Sequence, residues 1–101
     1  MKVIENEKGN YTISPKVFKD IAQISLDNNP DVCPGKKDDY IGIKFDDNDN
    51  LTVNVSLRLK QGCDVIKTCS RLQDNIKDNL NLMAGVECAN INIDIQGFTS
   101  K

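Results

Sequence analysis

The chain has 101 residues, 39% hydrophobic, 28% charged and 5% aromatic, which suffices for one domain around one core and excludes two. It holds no histidine, so Ser-His and Cys-His nucleophile pairs, the usual general base near neutral pH and most catalytic zinc or iron sites are excluded. The formal net charge of −2 lacks the basic surplus of a nucleic-acid binder, and no stretch approaches the roughly 18 consecutive apolar residues of a membrane span.

Residues 1–8 read as a loose polar lead-in without the apolar run of a secretion signal, which makes the cytosol the expected address. Gly9-Asn10-Tyr11-Thr12-Ile13 reads as a short strand or extended arm. Ser14-Pro15 then marks a helix start: the hydroxyl can accept from an orphan N–H, and proline at the first helical position has no N–H to lose. Val17, Phe18, Ile21, Ala22, Ser25 and Leu26 follow at helical spacing, and Asn28-Asn29-Pro30 stops the helix. Residues 28–39 form a loop rich in Asn, Asp, Pro, Gly and Lys. Charge is unevenly placed: residues 27–50 hold seven Asp against three Lys, net −4, so the rest carries +2.

Ile41, Ile43 and Phe45 alternate with small or polar residues, as a half-buried strand requires, and residues 46–50 make a polar hairpin turn. The clearest strand runs from Leu51 to Lys60. Leu51, Val53, Val55, Leu57 and Leu59 point one way; Thr52, Asn54, Ser56, Arg58 and Lys60 point the other. Gln61-Gly62 breaks it. A second helix is predicted from about Asp64 to Asn81, with the stripe Val65, Ile66, Cys69, Leu72, Ile76 and Leu80; Asp64 suits its positive end and Gly85 closes the helical region. The last strand, residues 88–96, puts Ala89, Ile91, Ile93 and Ile95 inward and Asn90, Asn92, Asp94 and Gln96 outward.

This order, β-α-β-β-α-β, predicts an α+β two-layer sandwich: a three- to four-stranded mixed sheet with two helices packed on one face. Residues 9–98 form the single domain and 99–101 a tail. The last strand should run parallel to the Leu51–Lys60 strand after a right-handed crossover through the second helix, leaving the other sheet face polar and open.

Gly9-Asn10-Tyr11-Thr12-Ile13-Ser14-Pro15 resembles the opening of the alkaline shock protein family, the envelope stress response (general stress) proteins of low-GC Gram-positive bacteria. Val17-Phe18-Lys19-Asp20-Ile21-Ala22 is similar to the family's first helix. The long strand, the Gly62 break, the second helix and the Asn90-Ile91-Asn92-Ile93 centre of the last strand follow the family's order. The resemblance implies a non-enzymatic cytoplasmic protein of the envelope stress response that works by protein–protein contacts. In some members the partner is membrane-anchored and holds the protein beneath the membrane. The cysteine- and aspartate-rich loop of residues 28–39 departs from the family.

Sharper chemical readings fare poorly. Cysteines 33, 63, 69 and 88 show no CxxC spacing, so four free thiols and no zinc or cluster site are expected. Cys63, near a helix start, lacks a histidine base, and Cys69 falls on the apolar stripe as a small core residue. Asp46-Asp47-Asn48-Asp49-Asn50 suggests calcium, but an EF-hand loop from Asp46 would need Gly and Glu where Leu51 and Leu57 stand. Asp38, Asp39, Asp64 and Asp74 read as solvated charge rather than a hydrolytic pair. A KH-like or ferredoxin-like RNA-binding domain is the alternative. It is disfavoured by outward strand positions without aromatics, Tyr40 being the only candidate ring. No catalytic residue, metal, cofactor or small-molecule substrate is expected, and nucleic acid is disfavoured. A protein partner, with self-association alongside it, is expected to use Asn54, Ser56, Arg58 and Lys60.

Overall fold

Ten residues of strict alternation make a strand with one dry face, and everything else is arranged around it. The computed structural model describes residues 2–6, 9–36, 39–48, 50–86 and 89–100. In chain order the elements are β1 (Lys2–Asn6), β2 (Gly9–Ile13), α1 (Pro15–Asp27), β3 (Val32–Pro34), β4 (Ile41–Phe45), β5 (Leu51–Lys60), α2 (Val65–Ala84) and β6 (Ala89–Thr99). On β5 the five inward residues, Leu51, Val53, Val55, Leu57 and Leu59, are each at most 2% exposed. They form the floor of the core, and the buried faces of both helices close over it. Both helices therefore cover one face of the sheet, in the expected two-layer α+β arrangement.

The sheet is mixed. β6 runs parallel to β5 along all ten of its residues and takes one whole edge. β3 and β4 pair antiparallel with β5 at residues 57–59 and 51–55 respectively, so they share the other edge end to end. The backbone directions agree. Ser56 N–H donates to the Tyr40 carbonyl (2.8 Å) and Lys60 N–H to the Asp31 carbonyl (3.0 Å), so the even residues of β5 bond toward β3 and β4. The odd residues bond toward β6.

Helix α1 starts as its sequence requires: Ser14 caps it, accepting from Lys16 N–H at 3.3 Å, with Pro15 in the first turn. Phe18, Ile21, Ala22, Ser25 and Leu26 are buried, and Phe18 meets the Phe45 ring edge-on at 5.6 Å. Helix α2 is capped by Asp64, which accepts from Lys67 N–H at 3.1 Å. It ends at Gly85, whose φ of 67° is the left-handed conformation that glycine adopts without a Cβ penalty. A polar seam joins the helices. The wholly buried Ser25 hydroxyl donates to the Ile21 carbonyl (3.2 Å) and accepts from Asn79 Nδ2 (2.9 Å), while its carbonyl accepts from Asn29 Nδ2 (2.7 Å). Buried polar atoms without partners are costly, and none occurs among the described side chains.

Several expectations are corrected. Lys2–Asn6, read as a loose lead-in, pairs with Gly9–Ile13 in a separate two-stranded sheet, so β2 is not a strand of the main sheet. Residues 28–39, read wholly as loop, contain β3, which is the fourth strand instead. Val17 and Ile66 lie outside the buried stripes, at 41% and 78% exposure, and Thr68 takes the inward position in α2. β6 runs on to Thr99, past a bulge: Leu57 pairs with Ile95 but Arg58 with Gly97, which leaves Gln96 as the extra residue.

Candidate functional site: the outer face of the sheet

Because side chains alternate along a strand, the even residues of β5, and of β6 as far as its bulge, face away from the helices. Register aligns them in rows: Lys44, Thr52 and Asn90; Gly42, Asn54 and Asn92; Ser56 and Asp94; Cys33 and Arg58. Asn92 Nδ2 donates to Asn54 Oδ1 at 3.0 Å, a cross-strand polar pair that orders the centre of the face. None of these side chains is aromatic. Tyr40, the one ring considered for this face, is turned to the helix side, where its hydroxyl donates to Gln23 Oε1 on α1. Sequence reasoning missed Phe98, which the bulge carries to the rim at 54% exposure opposite Leu59.

The four residues expected to bind a partner differ in their surroundings. Pro34 and Gly35 lead the chain out of β3 and over the end of the face. Arg58 Nε donates to the Pro34 carbonyl at 3.2 Å, and Lys36 N–H donates to Gln96 Oε1 at 3.3 Å. Gln96 belongs to β6, so this second bond crosses β5. The approach is close enough that a Cβ at position 35 would lie 2.6 Å from the Ser56 carbonyl oxygen. Asn54, Ser56 and Arg58 are all half-buried; Asn54 is the one that lies beside the exposed Asn92. Lys60 is exposed at the far end and borders a shallow cleft of about 500 Å³ with Asp31, Gln61, Gly62, Cys63 and Ser100.

The other chemical candidates are distributed as follows. Asp46 accepts from Asn48 N–H (2.8 Å), Asn50 N–H (2.9 Å) and Asn50 Nδ2 (3.1 Å). The Asn50 backbone and side-chain bonds, with the Asn48 bond behind them, hold its carboxyl below the usual range. This carboxylate closes the β4–β5 turn. Cys33, Cys63 and Cys69 are free thiols; burial, and secondarily the nearby Cys63, pushes the Cys69 pKa up. Asp38, Asp49 and Cys88 lie outside the described residues. No group of three or more Cys, Asp or Glu gathers among the described residues, and no described helix is long and apolar enough to cross a membrane.

A small α+β domain with two helices on one side of a mixed sheet, and an ordered polar face on the other, is the class this geometry defines. The model of the alkaline shock protein 23 family, described by a cell envelope-related function, matches residues 28–100. This span takes in β3, β4, β5, α2 and β6, and the chain belongs to that family, as the resemblance in its residues implies. No curated protein and no solved structure matches the chain.

Proposed function

We propose that the protein is a non-enzymatic cytoplasmic binding module of the envelope stress response, which captures a membrane-anchored protein partner on the polar outer face of its sheet. The family's cell envelope-related function supports the setting. The observation that carries the reading is the Asn54–Asn92 pair, with Lys44 and Thr52 beside it: polar, held on rigid strands, and with Asn92 and Lys44 exposed. The contact therefore centres on Asn54 and Asn92. Arg58 takes part less directly, since its guanidinium already donates to Pro34. RNA recognition on a sheet uses stacked aromatics, and the outward positions of β5 and β6 offer none.

Quantitative capture from envelope membranes tests this reading. Asn54→Asp should weaken capture more than Arg58→Glu, with both variants folded. Unchanged capture by folded Asn54→Asp would remove this face as the site. Retention on heparin that fades steeply with salt would favour the RNA alternative.

A further inference from the structure

A strand whose outer N–H and C=O groups are unpaired is a template for another strand, and natural proteins blunt such edges with proline, lysine, short strands or a covering segment. β6 carries one further such device, the bulge at Gln96, which lies beyond Ile91–Ile95, and almost none of the others. It has eleven residues, no proline, no lysine or arginine and one charge, Asp94. Among the described residues no strand pairs with its outer edge. Before the bulge its even residues bond to β5, so Ile91, Ile93 and Ile95 direct their backbone groups outward. Among the described residues one of these groups has a partner: the Ile91 carbonyl accepts from Gln73 Nε2 of α2 at 3.1 Å. Apolar surface lines the same edge. Ile93 and Ile95 are only half-buried, Phe98 is 54% exposed, and Ile66 stands at 78% two helical turns before Gln73, on the flank of α2 turned to β6.

We propose that a second copy of this chain occupies this edge, the two β6 strands pairing antiparallel about a twofold axis at Ile93. The argument is self-complementarity. In this register Ile93 faces the partner's Ile93, and Ile91 faces the partner's Ile95, so each isoleucine meets an isoleucine on the helix side. On the other side Asp94 faces the partner's Asn92. A shift by two residues one way sets Asp94 against the partner's Asp94 and Ile91 against the partner's Gly97. A shift by two the other way leaves Ile95 against the partner's Ala89. A shift by one turns apolar residues to the polar face. Residues with outward-directed backbone groups stand opposite each other in the chosen register, as hydrogen-bonded antiparallel pairs require. The axis stands perpendicular to the sheet, so the helices of both copies lie on one side and the two polar faces join on the other.

Sedimentation of the whole chain across concentrations, with amide exchange on the same samples, tests the proposal. In the parent chain, exchange at Ile91, Ile93 and Ile95 should slow as concentration rises. Asn92→Asp places a carboxylate opposite the partner's Asp94 twice per dimer and should weaken association roughly 2- to 30-fold. Adding Asp94→Lys to Asn92→Asp should restore it. The parent measurement stands even if a variant folds poorly. A monomer at every concentration, exchange at the three isoleucines that ignores concentration, or a dimer unmoved by the charge changes would each overturn the proposal, and capture of a foreign strand at this edge without self-pairing would replace it.

Discussion

The two edges of the sheet share β5 as their neighbour yet are built by opposite rules. The β3–β4 edge is cut into strands of three and five residues. It includes Pro34, which has no N–H to offer, and it exposes Lys44. Pro34 and Lys36, at the end of β3, are held by Arg58 and Gln96. The β6 edge runs for eleven residues, broken in register only by the bulge at Gln96, with a single side-chain cover, at Ile91, among the described residues. Pairing with β5 cannot account for the difference, because β5 bonds to both sides. It lies in the chemistry of the edge residues, which closes one side to further strands and leaves the other able to accept one.

Removing the shared frame should break the contrast altogether. Leu57 is fully buried in β5, and Leu57→Ala should cost about 2–5 kcal/mol through lost burial and a cavity. A lowered denaturant midpoint checks this; an unchanged midpoint would mean that the inward face of β5 is misassigned. A more selective break is Gly35→Ala. Its Cβ would meet the Ser56 carbonyl oxygen at 2.6 Å and Tyr40 Cβ at 3.0 Å, and the forced shift should cost about 1–3 kcal/mol. Amide exchange at Ser56 and Lys60 should quicken while β6 amides keep their rates. Equal quickening at both edges would show that the edges are not independent.

Gln73→Ala acts on the other side. Loss of its bond to Ile91 should cost about 0.5–1.5 kcal/mol of monomer stability by thermal melting. The uncovered carbonyl should also strengthen self-association, and weaker association would count against the β6 edge as the contact. The smallest effect is a matter of pH at the β4–β5 turn. The Asp46 pKa is lowered on folding, so its contribution is present above the ordinary value of 3.8 and is lost as pH falls through the lowered one. Exchange at the Asn48 and Asn50 amides should rise there in the parent but not in Asp46→Asn. β6 should stay indifferent in both.

Much of this molecule was legible in its residues because side-chain direction follows backbone period. The alternation of Leu51 to Lys60 determined both the dry and the polar face of β5, and the spacing of Phe18, Ile21, Ala22 and Leu26 determined the buried side of α1. Ser14-Pro15 and Gly85 marked helix ends through local geometry alone. Asn54 was placed outward for the same reason. Tertiary structure decided the rest. Val32–Pro34 has no period of its own and is a strand only because β5 has an edge there to pair with. Ile66 fits an apolar stripe by spacing, yet it faces outward because α2 turns that flank toward the rim of the sheet. Lys36 meets Gln96, residues 60 positions apart, and local sequence cannot encode a contact that exists only after β6 has docked beside β5.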